Sequence, residues 1–194
     1  MKIKSDQGEI AHNLILLADW LSIKHPKFKC RLLVVGGAAL ALKGHRDQTF
    51  DVDVLSPSPL PKEIEEGVRA VAMAQGLSIE WLNDHVANVL RSLFKVSHAP
   101  PPQFGEESEI LEVAENLTIA LASKQTMVTL KLLAASPGVK KHTLDLAALA
   151  PSLREIQEAV AVCLSLDDTN IRRVDLRMIL EELEIDADEV LGTD

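Results

Sequence analysis

Residues 32–56 read LLVVGGAALALKGHRDQTFDVDVLS. The stretch divides into an apolar strand, a Gly36-Gly37 turn, a short helix and a second strand that carries Asp51 and Asp53. Side chains alternate along a strand, so Asp51 and Asp53 are predicted to project on one side and Val52 and Val54 on the other. Neighbouring carboxylates repel, and burying either one unpaired is costly, so a shared cation is the best account of the pair. Oxygen ligands two residues apart suit Mg²⁺, which keeps much of its water and completes its shell from phosphate oxygens. Gly36 and Gly37 allow close backbone approach and unusual dihedrals. The N–H groups that open the following helix form an anion site. A phosphate held there, with a metal on the aspartates, is the layout of a phosphoryl- or nucleotidyl-transfer centre.

Outward from this stretch, composition sets bounds. The chain has 194 residues, 47% of them hydrophobic, enough for one sizeable domain or for a core with a helical appendage. A net charge of −9 argues against a broad electrostatic footprint for nucleic acid, so an RNA substrate needs a local basic patch. The two cysteines, Cys30 and Cys163, lie far apart and form no metal-type spacing; both are expected to be reduced, buried and inert. The N-terminus lacks the apolar run of a signal peptide, and no apolar segment is long enough to span a bilayer. The expectation is a cytoplasmic protein with no membrane partner.

Taken in order, residues 6–24 carry Ile10, Leu14, Leu17, Ala18 and Leu21 at helical spacing, with Pro26 beyond. Residues 30–35 form a nearly continuous apolar strand of the kind found at a sheet centre. Helix 38–43, capped by Gly44, leads to the Asp-bearing strand 49–55, which the proline cluster 56–61 ends. Helix 62–75, capped by Gly76, precedes a strand at 77–82, and this strand–helix–strand order implies a crossover and a partly parallel sheet. A helix over 86–94 and an extended loop at Pro100–Pro102 follow, then strands 110–114 and 117–122 around a Glu115-Asn116 turn. From Ser123 the chain turns helical: 124–135, 141–149, 151–166 with Pro151 near its first turn, and 169–183 with Ile171, Val174, Ile179 and Leu183 as its apolar side. The acidic tail 186–194 is expected to fray. The predicted fold is therefore α/β, a small mixed sheet with packed helices over 1–122 and a C-terminal helical region over 123–194.

The Gly36-Gly37 turn followed by Asp51-Val52-Asp53, with Gly44, Arg46 and Thr49 between, resembles the nucleotidyltransferase superfamily of DNA polymerase beta. Within it the chain looks most like the AbiEii-type proteins, the toxin halves of certain bacterial toxin–antitoxin and abortive-infection systems. The resemblance implies a small mixed nucleotidyltransferase sheet and transfer of an NMP group from an NTP to an acceptor hydroxyl. It implies Mg²⁺ or Mn²⁺ as cofactor, tRNA or a protein as acceptor, and a cognate antitoxin as partner. Asp51 and Asp53 would hold the metal; Gly36 and Gly37 would cradle the triphosphate, with Arg46 and Lys131 neutralising it. Lys131 takes this role from the resemblance, which places a lysine in a helix after the core sheet. Lys141-His142-Thr143-Leu144-Asp145-Leu146 looks like the family's Arg-Asp-x-x-Asp-Leu motif, with Lys141 and His142 departing from it; Asp145 is expected to hold Lys131 or to cap a helix.

Superfamily enzymes usually carry a third carboxylate on a separate strand. Glu112 is the first candidate and Glu80 the second; with neither in reach, the alternative is a non-catalytic nucleotide- or partner-binding module. Lys124, Lys131, Lys140, Lys141 and His142 cluster on two consecutive predicted helices and are expected to form the basic rim for an RNA acceptor.

Overall fold

A computed structural model describes residues 8–44, 49, 51–96 and 104–192, in two compact units that meet in sequence at Ser123/Lys124. The first unit is mixed α/β around a five-stranded sheet in the order β3-β2-β1-β5-β4, formed by β1 (Cys30–Val35), β2 (Val52–Ser56), β3 (Leu82–Asn83), β4 (Glu107–Ala114) and β5 (Leu117–Ala122). β1 lies parallel to β5 and β2 parallel to β3, while β1/β2 and β4/β5 are antiparallel. The apolar run that predicted a central strand is borne out: Leu32, Leu33, Val34 and Val35 are all buried, which requires cover on both faces.

Helices α1 (Glu9–Lys24), α2 (Gly36–Leu42), α3 (Lys62–Gln75) and α4 (His85–Phe94) pack on this sheet or on one another. The stripe Ile10, Ala11, Leu14, Leu17, Ala18, Leu21 of α1 is buried, as its periodicity predicted. α1 meets α3 closely at Gly67, where a Cβ would lie 2.5 Å from Leu17 Cδ1 and 3.0 Å from the Trp20 ring. Gly76 ends α3 in the left-handed region, the expected cap. Arg91 of α4 donates to the Ser58 carbonyl (2.7 Å) and hydroxyl (2.8 Å), tying α4 to the proline-rich turn after β2.

Several boundaries in this unit differ from the sequence reading, and β4 begins at Glu107 rather than at residue 110. α2 begins at Gly36 itself rather than at Ala38. The strand expected over 77–82 shrinks to Leu82–Asn83, because the Trp81 N–H bonds the Ser78 carbonyl (3.1 Å) and the Glu80 N–H bonds the Ser78 hydroxyl (3.2 Å), closing a turn. Trp81 is buried there, its indole N–H on the Val68 carbonyl (3.0 Å). β2 starts at Val52, not Thr49. Leu33 faces Ser56 while Val34 faces Val54, so Leu55 is an extra residue, and Val54 and Leu55 are both buried despite being adjacent. The proline run 100–102 lies outside the described residues.

The second unit holds α5 (Lys124–Ala134), α6 (Lys140–Leu149), α7 (Leu153–Leu166), α8 (Asn170–Glu182) and α9 (Ala187–Leu191). Ser152, not Pro151, opens α7: its hydroxyl accepts from the Glu155 N–H, and the Glu155 carboxylate takes the Ser152 N–H in return. α8 is capped by the Thr169 hydroxyl on the Arg172 N–H (3.3 Å). Its core side is Leu176, Ile179 and Leu180; Ile171 and Val174, expected inside, are 76% and 56% exposed. Both stripes fit a helical period, and packing against α7 and α9 selects one. The described part of the tail, to Gly192, forms a capped helix instead of fraying as expected. Asp186 caps α9 by accepting from the Asp188 and Glu189 N–H groups (2.9 and 3.3 Å), and Asp188 pairs with Arg177 (2.6 Å).

Candidate active site

One end of the sheet collects the residues of the opening stretch. β1 ends at Val35, which is extended (φ −129°, ψ −169°) and caps α2; Gly36 then turns into the left-handed region (φ +70°). Only glycine does this without strain. Val35 pairs with Asp53, the second residue of β2. The Asp53 carboxylate lies against Gly36: a Cβ on Gly36 would sit 2.6 Å from Asp53 Oδ2. Val52 and Val54 are fully buried and Asp53 between them only half so, the alternation the sequence predicted. Asp51 is exposed just ahead of β2, and the Thr49 hydroxyl donates to its Oδ1 (3.3 Å). Gly36, Gly37, Asp51 and Asp53 thus gather at one end of the sheet. Arg46 lies outside the described residues.

The third-acid candidates part ways. β4 is an edge strand, and Glu112 faces Thr118 of β5, which faces Arg31 of β1. That puts Glu112 three strand spacings from β2, about 14 Å, and towards the start of β1 rather than its glycine end. The first choice for a third acid is therefore not brought to Asp53. The sequence argument for it was its place on a separate strand, and the β4–β5 hairpin carries that strand to the far edge. Glu80 is better placed but exposed: it lies in the turn before β3, whose Trp81 carbonyl takes the Val52 N–H (2.7 Å), so it shares the glycine end of the sheet. The residue beside Asp53 on β3 is Asn83, not an acid. Its amide donates to the Glu80 carbonyl (3.1 Å) and accepts from the His85 N–H (3.0 Å). Among the described residues no group of three or more His, Cys, Asp and Glu side chains converges.

Lys43 had no place in the sequence reading, where a lysine after a short helix is only a helix end. In the fold it caps α2 and reaches across to the start of β4 and the end of β5. Its ammonium donates to the Ser108 hydroxyl (2.7 Å) and the Ala122 carbonyl (3.3 Å). Burial lowers its pKa from the ordinary lysine range, with Glu109 pulling the other way. No sequence signal marks it, because its partners lie 65 and 79 positions away.

In the second unit, Lys131 of α5 and Asp145 of α6 form a buried ion pair, Nζ to Oδ2 2.6 Å, with side chains only 8% and 11% exposed. Of the two roles expected for Asp145, holding Lys131 is the observed one. The expected basic rim is thinner than its lysine count. Lys131 is committed to Asp145, and Lys124 bonds Glu155 (3.0 Å) and the Ala150 carbonyl (2.9 Å), leaving Lys140 and Lys141 exposed. Burial would raise the Glu155 carboxyl, but the Ser152 amide, the Lys124 ammonium and the Ser152 hydroxyl together hold it below its ordinary value. Two surface cavities of this unit, about 590 and 350 Å³, contain none of the predicted catalytic residues.

Both cysteines are free. Burial, with a contribution from Glu63, pushes the Cys30 thiol up to about 11, and burial raises Cys163 as well, so neither is a thiolate at neutral pH. Among the described residues no helix is long and apolar enough to cross a membrane. Compared with known proteins, the chain matches no family model, no curated protein and no solved structure.

Proposed function

We propose that the chain is a nucleotidyltransferase of the DNA polymerase beta type, transferring an NMP group from an NTP to an acceptor hydroxyl. The observation that supports this reading best is the packing of the Asp53 carboxylate against Gly36, which joins the acidic strand to the glycine turn at one end of the sheet. Two aspartates, with no imidazole or thiol converging on them among the described residues, make a hard oxygen donor set. Such a set fits Mg²⁺ or Mn²⁺ held largely through water and ligand phosphates. Asp51 and Asp53 would hold the ion, which supplies charge neutralisation at the phosphates. The absent side chain of Gly36 leaves its space to the Asp53 carboxylate, and the backbone of Gly36 and Gly37 would cradle the phosphate beside it. Asp53 is held by its register with Val35, so its carboxylate is oriented before any ligand arrives. In the transfer, the acceptor oxygen bonds the α-phosphorus, the bond to the β-phosphate oxygen breaks, pyrophosphate leaves and the hydroxyl proton passes to a carboxylate.

The acceptor belongs to the same proposal: tRNA, as the AbiEii resemblance suggests, with an antitoxin as partner and the cytoplasm as location. Incubation with each α-labelled NTP, Mg²⁺ and either total RNA or cell protein should transfer label. Asp51→Asn and Asp53→Asn should abolish it while remaining folded. Transfer at wild-type rates by both variants would overturn the metal assignment.

A second reading is favoured by one feature, Asn83 standing beside Asp53 where an acid would complete a triad, with Glu112 at the far edge. Under it the chain binds a nucleotide or a partner without turnover. Calorimetry separates the two, since nucleotide binding with no transfer to any acceptor supports the binding module.

A further inference from the structure

We propose that Lys43 is a phosphate-binding residue of the site at the glycine end of the sheet, releasing Ser108 and Ala122 to take an oxygen of a polyphosphate ligand. This deepens the proposed function and rests on its placing of the ligand at the Gly36–Asp53 end. Position comes first. Val34 pairs with Leu121, so Ala122 lies opposite Val35 on the adjoining strand. The Lys43 ammonium, 3.3 Å from the Ala122 carbonyl, is then within about two strand spacings of Gly36, on the order of 10 Å.

Chemistry comes second. Arg31 also reaches this end of the sheet, but its guanidinium is paired with the Glu107 carboxylate. Lys43, by contrast, has hydrogen bonds only to neutral oxygens among the described residues, a hydroxyl and a carbonyl. An ammonium has three donors, and these bonds use two. Neutral partners compensate a half-buried cation only partly, as its lowered affinity for the proton reflects. The Glu109 carboxylate acts on the ammonium only at a distance, and a phosphate oxygen would supply the direct charge-assisted bond that it does not. Ser108 can release the ammonium at little cost, because its hydroxyl also lies within hydrogen-bond distance of the Leu121 and Ala122 carbonyls (3.2 and 3.0 Å). A carbonyl and a hydroxyl holding a lysine at the rim of an acidic site thus form a parked cation, not a closed ion pair.

The test is calorimetric titration of the whole chain with inorganic triphosphate, with and without Mg²⁺. Lys43→Met should weaken binding roughly ten-fold or more in both, the worth of a charge-assisted hydrogen bond, and Lys43→Arg should restore part of it. Ser108→Ala, which removes the resting partner, should bind at least as tightly as wild type. Wild-type affinity in Lys43→Met would overturn the proposal. So would equal loss in Lys43→Met and Ser108→Ala, which is what a purely structural clamp predicts. If Lys43→Met does not fold, the backbone amide resonances of Ser108 and Ser123 decide in the wild-type chain: they shift on adding triphosphate, or the proposal fails. Asp53→Asn should remove only the gain due to Mg²⁺. Lys43-dependent binding without any nucleotidyl transfer would leave this inference standing and sink the enzymatic reading instead.

Discussion

Gly36 and Asp53 occupy each other's space: the carboxylate of one stands where the side chain of the other would be, 2.6 Å from an added Cβ. The glycine turn and the acidic strand are therefore a single packed joint. Gly36→Ala should meet two costs, the left-handed backbone at φ +70° and the collision with Oδ2. Together these are worth about 1–3 kcal/mol. In the double variant Gly36→Ala/Asp53→Ala the collision vanishes and only the backbone cost, about 1 kcal/mol, should remain. Urea unfolding of the four proteins of this cycle checks it; strictly additive costs would mean the two residues do not touch.

The Lys131–Asp145 pair is buried on both sides, so breaking it by half leaves an uncompensated charge. Lys131→Met or Asp145→Leu alone should cost about 3–5 kcal/mol, while the double replacement should be near neutral. A pair serving only as a surface bridge would cost under about 1 kcal/mol either way. Denaturant midpoints at constant slope distinguish these outcomes.

The α7 cap carries a pH signature. The Glu155 pKa is lowered in the folded chain, so the group stabilises the fold above its unfolded value near 4.5 and loses that contribution as the pH falls through the lower folded value. Glu155→Gln should flatten the acid limb of stability below about pH 4.5 and leave the slope near neutrality alone. Ser152→Ala should cost about 1 kcal/mol at pH 7 through the lost cap. An unchanged acid limb in Glu155→Gln would show that Lys124 and Ser152 do not hold the carboxylate.

Gly67 offers a test of sign. Replacing an interior helical glycine by alanine favours the helix by about 1 kcal/mol. Here the new methyl meets Leu17 Cδ1 at 2.5 Å and the Trp20 ring at 3.0 Å, and Leu17 is fully buried. Overpacking costs about 1–3 kcal/mol, so Gly67→Ala should come out destabilising. A Leu17→Ala background should convert it to a stabilising change, read by thermal unfolding.

Much of the architecture was legible in the residues alone. The central strand Cys30–Val35 and the helix Lys62–Gln75 follow from an apolar run and from a periodic stripe closed by Gly76, and both are local properties. So was the gathering of Gly36 and Asp53, because a short helix between two strands returns the chain to the end of the sheet it left. Register, neighbours and burial were not legible. Glu112 became remote because β5 inserts beside β1 and pushes β4 to the edge, an ordering that no local pattern encodes. Asn83 beside Asp53 and Lys43 on Ser108 each depend on residues distant in sequence, and the Lys131–Asp145 pair, one of two roles expected for Asp145, owes its burial to the packing of α5 on α6. Ile171 and Val174 fit a helical stripe as well as Leu176 and Leu180 do, and only the packing of α8 against its neighbours chose between them. Backbone period is set by short-range sterics, which a sequence contains; which face is buried and which charge finds a partner is set by the assembled core, which it does not contain locally.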